Sequence, residues 1–336
     1  ICLPGLLVSG DIQTVSAVES KTDKNPNILV ILIDDAGYND FGFMGSKEMQ
    51  TPNIDALTSE GVVFTDAHVA ATVSSPSRAC LITGGNGHRF GYECNLSDRT
   101  NGLPLEEETI AEVFKTNGYR TAAIGKWHLG SRDEQHPNNR GFDLFYGMKA
   151  GGRDYFYNEK KSDRPGDERN LLLNDRQVKF ETYLTDAFSE KAVEFINESS
   201  QPFMMYLAYN AVHTPMQATD EDMAKFEGHP RQKLAAMTYA LDRGVGTVIR
   251  GLKDSGKFDN TLIFFLSDNG GATTNQSSNY PLKGFKGNKF EGGHRVPYFV
   301  VWKNGIPAGK PYDGLVSSLD IFATAIDAAS ISKTRN

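Results

Sequence analysis

The chain has 336 residues, 39% hydrophobic and 23% charged, a balance that suits a globular protein with a sizeable core. Its 35 basic and 42 acidic residues leave a net charge of −7, which argues against nucleic acid as the main partner. An anionic ligand must then be drawn by a local basic pocket, and the length allows one large α/β domain as readily as two small ones.

The first stretch, Ile1 to Val8, is apolar and reads as the end of a signal peptide's hydrophobic region. Val15-Ser16-Ala17 offers a small-residue cleavage site, and Glu19 to Asn25 a polar spacer. Residues 1–24 are therefore expected to be a leader, and residues 25–336 one catalytic domain that is exported, periplasmic or secreted. No later apolar run reaches the roughly 20 residues a membrane helix requires, so no span is expected. Cys2 falls in the leader; Cys80 and Cys94 could pair in an oxidising compartment, or Cys80 could simply be buried. No C-X-X-C spacing of a zinc or thioredoxin site occurs.

Asn27 to Ile33 is a nearly continuous apolar, β-branched run, the mark of a strand buried on both faces, and it ends in Asp34-Asp35. Thr51-Pro52 opens a short helix through Glu60, stopped by Gly61, and Val62 to Phe64 is a short strand. Glu106 to Thr116 reads as a helix and Tyr119 to Gly125 as the next strand. Residues 131–174 are polar, Gly-rich and irregular, which suggests surface insertions near a site. Thr182 to Asn197 is helical and Pro202 to Tyr209 is another buried strand. Arg231 to Ser255 is a long helix despite Gly244 and Gly246. Thr261 to Leu266 and Tyr298 to Trp302 are the last strands. Strands alternating with helices imply a largely parallel sheet clad on both sides.

The stretch Ser74 to Gly84, SSPSRACLITG, is a loop turning into a helix. Ser75 is placed to cap and Pro76 suits the first helical position. A helix start carries unpaired N–H groups and partial positive charge, so it favours an anion. Arg78 adds a fixed cation about one turn in, and Ser74 sits just ahead, where a nucleophile would belong. An ordinary capped helix would look the same.

In a parallel sheet the ligand site lies at the carboxyl ends of the strands. Asp34-Asp35, Lys126-Trp127-His128, His213 and Asp268-Asn269 each follow a strand. Singly, each has an ordinary explanation as a turn cap, a surface cluster or a loop anchor; four in register are harder to dismiss. Asp34, Asp35, Asp268 and Asn269 are hard oxygen donors without thiol or imidazole, which favours Ca²⁺ or Mg²⁺ over zinc.

The run Ser74-X-Pro76-Ser77-Arg78, closing in Ile82-Thr83-Gly84, resembles the signature of the type I sulfatases. The resemblance runs from about Asn25 to about Ala329. It implies an alkaline-phosphatase-like α/β sandwich with a large, mostly parallel central sheet flanked by helices. It also implies hydrolysis of a sulfate ester on a carbohydrate. In that family the first signature residue is oxidised to formylglycine. A serine that attacked sulfur would remain as a stable sulfate ester, whereas the aldehyde hydrate has a second hydroxyl that can expel sulfate. Ser74 stands where cysteine is commoner, so a maturase that oxidises serine is implied as a partner.

The resemblance further assigns Ca²⁺ to Asp34, Asp35, Asp268 and Asn269. Arg78, Lys126 and Lys286 would grip sulfate oxygens, the last in Leu282-Lys283-Gly284-Phe285-Lys286-Gly287, ahead of Glu291-Gly292-Gly293. His128 would hold the hydrate and act as base; His213 would protonate the leaving alcohol. Lys283 and Lys289 are expected to be solvated. Family members usually continue past Ser318-Leu319-Asp320-Ile321 into a smaller C-terminal subdomain, so a chain lacking it is expected. His88, Arg89, Arg153, Asp154 and Tyr155 could line a sugar subsite or be solvated. A phosphate or phosphonate ester hydrolase of the same superfamily remains open, as does a non-catalytic binder of sulfated glycans with Ser74 unmodified.

Overall fold

The computed structural model describes residues 25–95 and 102–332; the expected leader, with Cys2, lies outside the described residues. In chain order the main elements begin with β1 (Asn27–Ile33), α1 (Pro52–Thr58), β2 (Val62–Phe64), β3 (Ala67–His68) and α2 (Ser74–Thr83). Next come α3 (Ile110–Thr116), β4 (Arg120–Lys126), β5 (Leu144–Met148), β6 (Leu172–Leu173) and β7 (Arg176–Gln177). They are followed by α4 (Leu184–Glu198), β8 (Phe203–Ala208), α5 (Asp220–Ala224), α6 (Gln232–Asp254) and β9 (Thr261–Ser267). The chain then forms α7 (Glu291–His294), β10 (Tyr298–Val301), β11 (Val316–Ser317) and α8 (Asp320–Ala328).

One sheet has the order β2-β10-β9-β1-β8-β4-β5-β6-β7, and β11 pairs with β3 beside it. Its centre, β9-β1-β8-β4-β5, is parallel throughout. Both flanks are antiparallel: β10 against β9 and β2, and β6 against β5 and β7. The reversal at β10 has a consequence for the site. The chain leaves β9 at its carboxyl end and re-enters the sheet from that same end, so the intervening loop stays at the ligand edge.

The strand side chains divide between two cores by their period of two. Leu29, Ile31 and Ile33 of β1 join one cluster with Phe188, Phe195, Leu241 and Val248 of α4 and α6. Ile28, Val30 and Leu32 join the other with Leu81, Ile82, Phe114 and Phe322 of α2, α3 and α8. A sheet buried on both faces accounts for the unbroken apolar run read in β1. Among the described residues no helix is long and apolar enough to cross a membrane.

Three local expectations need correcting. The helix expected over 106–116 starts at Ile110, where Thr109 and Glu112 form a reciprocal capping box. Residues 131–174 are not wholly irregular: β5, with Phe145 and Tyr146 buried, extends the parallel sheet, and β6 pairs with it. Cys80 and Cys94 are unpaired; Cys80 is buried and its Sγ accepts from the Gly87 N–H at 3.1 Å, while Cys94 is exposed.

Candidate active site

The residues expected to be catalytic or metal-binding lie at or beside the carboxyl edge of the parallel strands. Asp34-Asp35 follow β1, Lys126 closes β4, His213 follows β8 and Asp268-Asn269 follow β9. Gly125, just before Lys126, has φ 106° and a Cβ there would meet Ala208 O at 1.9 Å, so only glycine lets β4 and β8 close beneath the site. Asp35 and His128 hold left-handed φ values of 63° and 58°. Non-glycine residues in that region are held by their surroundings, and here both sit at the site.

Helix α2 faces this edge with its first turn. It begins at Ser74, not at Pro76, with Val73 in the N-cap position and no side-chain cap from it. Ser75 does not cap. Its Oγ donates to His128 O at 2.7 Å and lies 2.7 Å from the Tyr92 hydroxyl, which must then be the donor. Asn95 takes over, its Oδ1 accepting from Ser75 N at 3.0 Å. The whole helix is buried, and the side chains of Ser74, Ser75, Arg78 and Thr83 are tolerated there because each is hydrogen-bonded.

The charged groups interlock behind Ser74. Arg78 donates from Nε at 3.0 Å and Nη2 at 2.8 Å to Asp268 Oδ2, and from Nη1 to Lys126 O at 3.1 Å. Lys126 Nζ lies 2.6 Å from Asp34 Oδ2, and Lys286 Nζ lies 2.6 Å from Asp35 Oδ1. Three groups converge on the Ser74 hydroxyl: Asp34 Oδ1 at 3.3 Å, Asn269 Oδ1 at 3.2 Å and Lys286 Nζ at 3.5 Å. Asn269 Nδ2 donates to Asp35 Oδ1 at 2.8 Å, which turns its amide oxygen inward. His213 Nδ1 donates to Thr214 O at 2.6 Å, directing Nε2 at Asp35 Oδ2, 3.7 Å away.

A family model described as Sulfatase matches residues 26–331. The chain belongs to the sulfatase family. It is 34% identical to an uncharacterized sulfatase, YdeN, of Escherichia coli (strain K12), over 94% of this chain and 64% of that protein. It is 36% identical to arylsulfatase G of Mus musculus, over 93% of this chain and 66% of that protein. The chain thus spans about two thirds of the length of these relatives. The crystal structure of Ps i-CgsB in complex with k-i-k-neocarrahexaose superposes with a TM-score of 0.87 at 43% identity, covering 93% of this chain and 73% of that one.

In this sulfatase-family site Asp34, Asp35 and Asp268 face Arg78, Lys126 and Lys286. Burial alone would raise Asp34, but the charges of Lys126, His213, Arg78 and Lys286 outweigh it and hold the carboxyl well below the usual range. Asp268 moves the other way, raised by burial and then by the Asp34 charge, despite Arg78. Burial and the cations Lys126 and Arg78 push His128 well below the usual histidine range, so it stands neutral. Burial pulls Lys286 down, yet Asp34, Asp35 and Asp268 raise it overall.

The donor set suits a hard cation: Asp34, Asp35 and the Asn269 amide present oxygens on one side of Ser74. The Asp34, Asp35 and His213 donor atoms all lie within 4.8 Å of one another. Asp268 is less free than its sequence position implies. Its Oδ2 is held by Arg78 and its Oδ1 accepts from Asp35 N at 3.3 Å.

The sequence missed the supports. Gly151 presses on His128, where a Cβ would come within 2.7 Å of Nε2, and Ser75, Tyr92 and Asn95 fix the start of α2. The Gly151-Gly152 pair was a usable signal; Tyr92 and Asn95 carried none. Arg153, Asp154 and Tyr155 are buried and held by internal partners, so they are not solvated. Arg153 is buried, its Nη2 donating to both carboxylate oxygens of Asp163 at 2.8 and 2.9 Å, and Asp154 accepts from Ser162 and Gln217. Tyr155 is buried with its hydroxyl hydrogen shared between Asn210 O and His213 O. His88 and Arg89 are exposed.

Proposed function

We propose that the protein hydrolyses sulfate esters of carbohydrates, using formylglycine made from Ser74 and one Ca²⁺ held by Asp34, Asp35, Asp268 and Asn269. The convergence of Asp34, Asn269 and Lys286 on the Ser74 hydroxyl, within 3.5 Å, carries this reading. Those groups surround the one atom whose chemistry must change, at the start of a buried helix. The aldehyde hydrate would supply a nucleophile with a second hydroxyl to release sulfate, and the cation would polarise the sulfate oxygens as a Lewis acid.

The chain's own residues supply the rest. Three carboxylates against three buried or half-buried cations leave the pocket near neutral. A divalent cation joined by a singly charged ester leaves it one positive, complementary to the negative charge that develops as the ester bond breaks. Lys126 and Lys286, fixed by Asp34 and Asp35, present N–H donors to that charge without reorganising. His128, neutral and clamped by Gly151 and the Ser75 contact to its carbonyl, is ready to take a proton. His213, whose Nδ1 is fixed on Thr214 O, would carry a proton on Nε2 to the leaving oxygen.

The carbohydrate part of the reading is supported by Ps i-CgsB, whose structure holds k-i-k-neocarrahexaose. The test is to co-produce the protein with a serine-oxidising maturase and offer a sulfated oligosaccharide, an aryl sulfate and an aryl phosphate in Ca²⁺. Release of inorganic sulfate from the first two is expected; a higher kcat/KM for the phosphate would overturn the reading.

A further inference from the structure

The loop over residues 279–290, which brings Lys286 to the site, also carries an exposed surface that the reaction itself does not use. We propose that it is a binding platform for a polyanionic glycan. Tyr280, Phe285 and Phe290 would take the apolar faces of sugar rings, and Lys283 and Lys289 the anionic groups on sugars beside the one cleaved. The proposal rests on the sulfatase reading and extends it from a single sulfate to its neighbours along the chain.

Charge is the first observation. In a protein of net charge −7, residues 269–290 contain no Asp or Glu and three lysines, Lys283, Lys286 and Lys289. Screening confines a surface charge to about 8 Å at physiological salt, so this local excess, not the total, is what an arriving anion meets. Lys286 is directed inward onto Asp35, while Lys283 and Lys289 are exposed.

Exposure is the second. Seven large hydrophobic side chains are exposed among the described residues, and three lie in this loop: Tyr280 at 72%, Phe285 at 45% and Phe290 at 40%. Lys283 Nζ sits 4.3 Å over the Phe290 ring, placing a cation beside an aromatic face. Aromatic rings next to fixed cations match a sulfated sugar, whose C–H faces are apolar and whose substituents are anionic.

Rigidity is the third. A slack loop would fold its rings onto itself; this one is pinned. Asn279 accepts from Gly271 N at 2.8 Å and donates to Gly271 O at 3.0 Å, and Lys286 N donates to Gly271 O at 3.1 Å. Gly287 N donates to Thr72 O at 2.7 Å and Gly292 N to Lys283 O at 2.8 Å. These bonds tie the loop to the exit of β9 and to the approach to α2. The rings and lysines are therefore held at a fixed offset from Lys286 and Ser74.

The test uses the full chain with Ser74→Ala, which cannot turn over. Calorimetric titration compares a hexasaccharide bearing one sulfate per two sugars with its monosulfated disaccharide unit. Lys283→Gln with Lys289→Gln should weaken hexasaccharide binding about tenfold and flatten its salt dependence, with less than a twofold loss for the disaccharide. Tyr280→Ala with Phe285→Ala should weaken the hexasaccharide and leave its salt dependence intact. Equal losses on both ligands overturn the platform, as does no loss on either, the result expected if another part of the protein covers the loop. If neither ligand binds the Ser74→Ala parent, the sulfatase reading fails as well, a result distinct from a failure of the platform alone.

Discussion

Lys126→Met tests the ionic interior of the site most severely. Both Lys126 and Asp34 have fully buried side chains, and of the two 2.6 Å ion pairs beside Ser74 theirs is the more deeply buried. Methionine keeps the volume and removes the ammonium. Asp34 then keeps Arg78, at 3.6 Å, and the longer-range charges of His213 and Lys286. Removing one partner of a buried pair costs about 3–5 kcal/mol, because the remaining charge stays desolvated. Burial pushes the Lys126 ammonium below the usual lysine range despite Asp34, so the pair's attraction only partly offsets its desolvation. We therefore place the loss at the lower end, about 3 kcal/mol, or about 4 °C in Tm for a chain of this size.

The sign of the pH dependence follows from Asp34. Its folded-state pKa lies well below the unfolded value of about 3.9, so its contribution is fully present above that value and is lost as pH falls. The wild-type and variant stabilities should therefore differ fully from pH 7 down to about pH 4 and converge progressively as pH falls below about 3.9. Thermal melts in EDTA, at matched scan rates across that range, measure this. A Tm change under about 1 °C at pH 7, or a difference still undiminished near pH 2.5, would refute the buried-pair reasoning.

Adding Ca²⁺ at a hundred times its Kd should stabilise the protein by about 2.7 kcal/mol relative to EDTA, and Asp35→Asn should remove most of that Tm shift; an equal shift in the variant would exclude Asp35 as a ligand. His213→Ala should slow sugar sulfates by about 10²–10⁴-fold but aryl sulfates much less, since a phenolate leaves without a proton; equal losses in steady-state assays would argue for a purely anion-binding role. His128 is held neutral while the unfolded chain protonates near pH 6.5, so stability should fall as pH drops below 6.5, by up to about 1.4 kcal/mol per pH unit. His128→Gln should remove that slope in urea titrations at pH 7.5, 6.5 and 5.5, and an unchanged slope would place the proton elsewhere.

The strands and the site were legible for one reason: both are written locally. The apolar run of β1 and the polar pairs that end β1, β4 and β9 sit next to one another in sequence, and a parallel sheet gathers its strand ends. What was illegible depends on distant contacts. Ser75 has the composition of a cap, yet His128 O and Tyr92, far along the chain, claim its hydroxyl and Asn95 replaces it. β5 was hidden because its strand-forming run Leu144-Phe145-Tyr146 is only three residues long before Gly147 and lies among polar insertions, and its pairing with β4 shows only in the fold. Arg153 and Tyr155 looked like solvent-facing recognition residues, but Asp163, Asn210 and His213 bury them. The engagement of both Asp268 oxygens, by Arg78 and by the Asp35 N–H, could be seen only once those distant residues were placed beside it.

The central claim is that Ser74 reacts only after oxidation, and the mass of its peptide measured beside turnover tests it most directly. Protein produced with a serine-type maturase should show the Ser74 peptide lighter by two hydrogens, with a hydrated form one water heavier than the aldehyde. That preparation should release many equivalents of sulfate. Protein made without the maturase should keep the serine mass and show no multiple turnover, and Ser74→Ala should be inactive in both while melting normally. Sustained sulfate release by protein whose Ser74 peptide is unmodified would contradict the account.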